Sequence, residues 1–193
     1  LDRVESQMSL NSCTSFLEIG PGFGATMHLI EQNYPLIRKY LLVDIVPNIY
    51  VVSEYLRNIY GDAVVDYRVT CKSQSISFDQ NADLEIIVIP PWKLAMVDEN
   101  FDYCWNSNSF VEMRNDSLEF YSDQLARLSK VNTKYAVLTY DRFDTETTLD
   151  PEAMIQLLAS LPPLGEFRFD RLFESARQNL YFLGQNGETD PTL

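Results

Sequence analysis

Residues Phe16 to Gly24 read Phe-Leu-Glu-Ile-Gly-Pro-Gly-Phe-Gly, a carboxylate near the end of an apolar run followed by glycines at alternate positions. Glycines 20, 22 and 24 tolerate positive φ and, without Cβ atoms, let a ligand approach the main chain closely. The helix-forming stretch that follows, Ala25 to Gln32, would aim its first backbone N–H groups at that ligand. Such a turn cradles nucleotides, but its glycines do not select one. Gly20, Gly22 and Ala25 also satisfy the G-x-G-x-x-G/A spacing of dinucleotide-binding folds. Glu18 argues against a pyrophosphate. Like charges about 5 Å apart at an effective dielectric near 20 repel by roughly 3 kcal/mol, more than a neutral hydrogen bond returns. The same carboxylate attracts a cation.

S-adenosylmethionine carries a sulfonium and an ammonium and no phosphate. The segment Glu18 to Gly24 resembles the first motif of the class I S-adenosylmethionine-dependent methyltransferases, Glu-x-Gly-x-Gly-x-Gly. The resemblance implies that Glu18, Gly20, Pro21, Gly22, Phe23 and Gly24 surround the methionine end of that cofactor. Asp44 stands twenty residues beyond Gly24, at the end of the apolar run Tyr40 to Val43. A carboxylate there can accept hydrogen bonds from both ribose hydroxyls, each worth roughly 1.5–3 kcal/mol, and the family uses it in this way. The competing role for Asp44 is the N-cap of the helix expected from Ile49 to Tyr60; the two roles are compatible.

A third cluster follows a later strand. Asn106-Ser107-Asn108-Ser109-Phe110-Val111-Glu112-Met113 packs polar groups directly after an aromatic run. Methyl transfer to oxygen needs a group to take the acceptor's proton, and Glu112 is the first candidate. Asn108 and Ser109 would orient acceptor hydroxyls, and Asn106 those or the cofactor's amino-acid end. Equally, residues 106–109 would cap the next helix with Glu112 in its first turn. Phe-Asp-x-x-x-Asn-Ser-x-Ser-Phe-x-Glu-Met, from Phe101, is similar to the fourth motif of the bacterial sugar O-methyltransferases, which implies a saccharide acceptor. Met113 stands where many relatives have histidine, and Pro90-Pro91-Trp92 replaces an acidic residue that often meets the adenine. Trp92 is the candidate to stack there instead. Asp141 competes with Glu112 as base. His28 is expected to be a hydrogen-bonded helix residue, and Asp141 with Asp144 is too weak a spacing to claim a metal.

These residues require a sheet that presents its strand ends side by side. Apolar runs at 16–19, 40–43, 85–89, 101–106 and 134–140 alternate with helical patterns at 25–33, 49–60, 118–130 and 151–161, the signature of repeated βαβ units. Residues 63–78 read as an insertion containing an edge strand. Residues 167–173 and 179–183 are joined by a link too short for a crossover helix, which predicts an antiparallel hairpin. The expected fold is therefore a doubly wound, Rossmann-like α/β sheet of seven strands, mostly parallel, with a C-terminal antiparallel hairpin, as in the methyltransferases. Residues 1–184 would form one domain and 185–193 a flexible tail.

Composition narrows the ligands. Fifteen basic against 28 acidic residues give a net charge of −13 with no basic stripe, which disfavours nucleic acid and suits a small neutral or cationic acceptor. No apolar stretch approaches the ~20 residues that cross a bilayer. Three cysteines without metal-like spacing point to a reducing compartment, the cytoplasm by default. The chain opens on Leu1 with the glycine turn fifteen residues in, as expected of a piece of a longer protein whose lid lies elsewhere. Two other functional classes remain open: an NAD(P)-dependent oxidoreductase, and a catalytically silent cofactor-binding module that serves a partner protein. The sequence does not determine oligomeric state.

Overall fold

The computed structural model describes residues 8–140, 149–160, 170–174 and 179–185. β1 (Ser15–Ile19) is buried at every position, as a strand covered on both faces must be. It leads through the glycine turn into α1 (Ala25–Asn33), β2 (Lys39–Val43) and α2 (Asn48–Tyr60). β3 (Val64–Val65), α3 (Tyr67–Thr70), β4 (Glu85–Ile89) and β5 (Phe101–Ser107) follow. Next come α4 (Asn115–Arg127), β6 (Ser129–Tyr140), α5 (Pro151–Ser160), β7 (Asp170–Glu174) and β8 (Asn179–Gln185).

Among the described residues the sheet has eight strands in the order β3-β4-β2-β1-β5-β6-β8-β7, not the seven expected. The extra strand is β3, two residues long, at the edge beside β4. The alternation at 64–71 suggested a longer strand, but only Val64 and Val65 pair. Asp66 then caps α3 by accepting the N–H of Arg68, and the chain turns helical. The first six strands pair in parallel, and β8 runs antiparallel to both β6 and β7. Gln185, placed in the tail by sequence, pairs with Lys134 within β8; residues 186–193 lie outside the described residues.

The pleat sends alternate residues to two cores. Leu17, Ile19, Leu41 and Val43 face α4 and α5, where Phe110, Leu118, Tyr121 and Met154 are buried. Phe16, Tyr40 and Leu42 face α1 and α2, where Met27, Ile30, Val52 and Leu56 are buried. Glu18 shares the parity of Phe16, and this places its side chain under α1.

Register brings the strand ends level. Ile19 is paired with Val43 and with Asn106, and Val43 with Ile89. β1 has β2 on one side and β5 on the other, so its C-terminal end is the point where strand order reverses and a crevice opens. No helix among the described residues is long and apolar enough to cross a membrane.

Candidate functional site

The glycine turn closes over the end of β1. The Gly20 N–H donates to Val43 O at 2.9 Å and extends the ladder by one residue, after which Gly20, Gly22 and Gly24 take φ of 73°, 59° and 93°. The three glycines are needed for different reasons. A Cβ on Gly20 would lie 2.5 Å from Ser109 Cβ, and one on Gly24 would lie 3.0 Å from Val52 Cγ2 of α2. A Cβ on Gly22 would meet nothing within 4 Å. Gly20→Ala is therefore expected to cost about 2–4 kcal/mol of stability by overpacking and strain, and Gly22→Ala only about 1–2 kcal/mol from its backbone angle. Thermal unfolding of the two variants side by side checks this ordering.

Glu18 is 1% exposed, and one of its oxygens, Oε2, has no hydrogen-bond partner among the described residues. The Thr26 hydroxyl and the Met27 N–H bond to the carboxylate. Gly24, at the N-cap of α1, offers no side chain, so Glu18 satisfies a first-turn N–H of the helix from the neighbouring strand. Burial, with Asp44 adding like-charge repulsion, pushes its pKa up to about 8 despite those two donors. A charge-neutral Glu18 at neutral pH is the consequence.

Asp44 sits at the end of β2 and is almost wholly buried. Its Oδ2 accepts the Gly22 N–H at 3.1 Å and its Oδ1 the Ile45 N–H at 2.7 Å. Burial raises its pKa, opposed by those two N–H groups and the Asn48 side chain. A carboxylate has about four lone-pair directions, so these three hydrogen bonds still leave acceptor capacity for a ligand. Asp44 is not the helix cap: Pro47 occupies the N-cap of α2, after a cis Val46–Pro47 bond.

The loop after β5 closes the other side. Asn106 is buried; its Nδ2 donates to Ile19 O at 2.8 Å and to Ser109 Oγ, and its Oδ1 accepts the Phe110 N–H at 3.2 Å. Its polar atoms are thus committed to tying β5 to β1 and to capping a 3₁₀ turn, Phe110–Glu112. The capping expectation holds for Asn106 and this short turn; α4 begins only at Asn115, three residues before the periodicity placed it.

A cavity of about 330 Å³ opens between these loops, within the range of small-molecule pockets. Gly20, Gly22, Asp44, Asn108, Ser109 and Glu112 line it, and Asn108 holds φ of 65°. Met113 and Tyr121 complete the wall toward α4. Phe23 is exposed at the turn, with its ring edge-on to Tyr55 at 5.8 Å. Pro21 is buried, and the Gly24 N–H donates to its carbonyl at 2.9 Å.

Trp92 stands apart. It is 63% exposed on a 3₁₀ turn, Pro91–Met96, and does not line this cavity. Asp141 lies outside the described residues. His28 is held by Tyr55 Oη at Nδ1 and by Gln32 at Nε2, both at 2.7 Å, as a helix residue packed between side chains. No group of three metal-ligating side chains occurs among the described residues, and the three cysteines are free thiols. The sequence reading missed Tyr121 and Asn48, because a buried aromatic at helical spacing and a polar residue at a helix start look like ordinary core and surface.

No family model matches the chain, and no curated protein sequence does either. Solved structures do resemble it. The pyocyanin biosynthetic protein PhzM aligns with a TM-score of 0.63 and 12% identity over 95% of this chain and 53% of its own. Human N-acetylserotonin methyltransferase, determined with S-adenosylmethionine, aligns at 0.62 and 12% over 96% of this chain and 51% of its own. The N-methyltransferase NodS from Bradyrhizobium japonicum WM9 aligns at 0.59 and 16% over 97% and 96%. The chain spans about half the length of the first two. At such identities the likeness concerns architecture: this chain has the mostly parallel, Rossmann-like α/β fold that these three proteins share.

Proposed function

We propose that this chain is an S-adenosylmethionine-dependent methyltransferase domain acting on a hydroxyl of a small acceptor, a saccharide by its 101–113 segment. The observation that carries the reading is the pair of buried carboxylates, Glu18 and Asp44, set around a glycine turn at the point where strand order reverses. Asp44 and Glu112 line the cavity and no cationic side chain does among the described residues, which suits a cationic adenosyl ligand and opposes a pyrophosphate. Glu18 lies beneath the turn rather than in the cavity wall, and its Oε2, which has no donor among the described residues, would accept from a cofactor ammonium admitted to the turn, with loss of the carboxyl proton on binding.

In this reading Glu18 and residues 20–24 hold the methionine end, and the free lone pairs of Asp44 accept from ribose hydroxyls. When bound, S-adenosylmethionine supplies an electrophilic methyl group on a cationic sulfur. Asn108 and Ser109 orient the acceptor from the cavity wall. Glu112, exposed at the cavity mouth, takes the hydroxyl proton, with Asp141 as the second candidate. Asn106 acts through Ser109, whose hydroxyl it fixes.

Titration calorimetry with S-adenosylmethionine and with NAD tests the reading. Binding of the first in the micromolar range with no heat from the second is expected; the reverse pattern sinks it. Glu112→Gln is expected to lower the methylation rate by roughly 10²-fold with cofactor affinity unchanged. An unchanged rate moves the base elsewhere.

A further inference from the structure

Tyr121 has no part in the site as described so far, yet its position is unusual. It lies on the buried face of α4 with Leu118, Ser122 and Leu125, and it also lines the cavity that holds Asp44. Its ring is fixed between Phe110, centroids 5.8 Å apart, and Phe120, 5.5 Å apart. Its hydroxyl makes no hydrogen bond to any described residue, but it is not among the polar atoms sealed from solvent without a partner. The phenol oxygen is neither bonded nor sealed, and the residue that carries it, otherwise 5% exposed, is part of the cavity wall, which makes the hydroxyl available to a ligand there. An unused hydroxyl in a pocket wall is a ligand contact in waiting.

We infer that Tyr121 is a nucleoside-binding residue that donates a hydrogen bond to the adenosine part of the cofactor beside Asp44. The inference rests on the cofactor reading above and extends it to a residue on a different element. Burial, and then the charge of Asp44, raise the pKa of the phenol, so it remains a donor throughout the neutral range. Asp44 only accepts. Together the two side chains match a ligand that offers hydroxyl donors and, within a few ångströms, ring-nitrogen or ether-oxygen acceptors; a nucleoside has both. The rigid aromatic packing means that the donor is positioned before the ligand arrives, which limits the entropy lost on binding.

The test measures binding of S-adenosylhomocysteine and of 5′-methylthioadenosine, which lacks the amino-acid end, to the wild type, Tyr121→Phe and Glu18→Gln. Tyr121→Phe is expected to weaken both ligands equally, by roughly five- to tenfold, with an unchanged melting temperature. Glu18→Gln is expected to weaken S-adenosylhomocysteine alone. Wild-type affinity of Tyr121→Phe for both ligands overturns the inference. So does a loss confined to S-adenosylhomocysteine, which would place the hydroxyl at the methionine end. A markedly lower melting temperature for Tyr121→Phe, or its failure to fold, also overturns it, because the hydroxyl would then have a structural partner. If the wild type binds neither ligand, the cofactor reading itself fails and takes this inference with it.

Discussion

A Glu18→Gln variant is expected to be more stable than the wild type in alkaline solution and to bind S-adenosylmethionine more weakly. The sign follows from the titration. Burial lifts the Glu18 pKa to about 8 in the folded chain, against 4.5 for the free side chain. Its contribution to stability is therefore fully present below about 4.5 and is lost as pH rises through about 8, because the folded state must then carry a buried charge. At about pH 9 the loss is on the order of 3–5 kcal/mol, since each unit of pKa is about 1.4 kcal/mol. Glutamine keeps an acceptor for Thr26 and Met27 without ionising, so the variant should hold its melting temperature between about pH 5 and pH 9 while that of the wild type falls. At about pH 9, where Glu18 is ionised, affinity should drop by roughly 10- to 100-fold on this substitution, the worth of one charge-assisted hydrogen bond to an ammonium. Parallel melting curves for the two proteins across this range would show that Glu18 does not titrate there. The site thus exchanges stability for affinity at a single carboxylate.

The second large effect lies at the opposite end of β1, on the neighbouring strand β5. Asp102, near the start of β5, accepts the Thr14 N–H and hydroxyl at 2.8 Å each and the Ser15 N–H at 3.1 Å, while Lys130 pairs with its other oxygen at 2.6 Å. Burial acts to raise its pKa, but Lys130 and the Thr14 donors outweigh it and hold the carboxyl at about 2. Its contribution is thus present above about 3.8 and disappears as pH falls through about 2, the reverse of Glu18. Asp102→Ala removes the acceptor of two backbone N–H groups and one ion pair of Lys130. It should cost about 3 kcal/mol in urea denaturation near neutrality while leaving the cofactor affinity of the folded fraction unchanged. A loss of affinity without a loss of stability would mean that Asp102 acts on the cavity rather than on the register of β1 and β5.

Much of the fold is legible because its determinants are local. The five buried residues of β1 and the glycines after it, together with the carboxylate closing the next apolar run, mark a βαβ unit without knowledge of any contact. Residues 64–71 are harder, since so short an alternation fits a strand or a single helical turn, and the Asp66 cap settles it. β6 starts at Ser129, five residues earlier than the apolar run, because Thr133 satisfies the carbonyl of Phe101 across a bulge, a contact no periodicity can report. The site divides in the same way. Glu18, Gly22 and Asp44 are recognisable by spacing. Asn106 reads as a ligand-facing amide, although its partners are Ile19, Ser109 and Phe110, and Tyr121 reads as core, although one edge of it is pocket wall. Both depend on three-dimensional neighbours.

The hydroxyl of Ser109 receives a hydrogen bond from Asn106, donates to Ile19 O at 3.3 Å, and fills the space where Gly20 has no Cβ. For anyone re-engineering acceptor choice this contact sets the boundary of what can be exchanged. Grafting a foreign loop across 106–109 would disturb the glycine turn and, on the function proposed above, the methyl donor's seat along with it. Diversity confined to Glu112 and Met113 leaves both that joint and Tyr121 untouched, so a library restricted to these two positions should retain cofactor binding in most of its members.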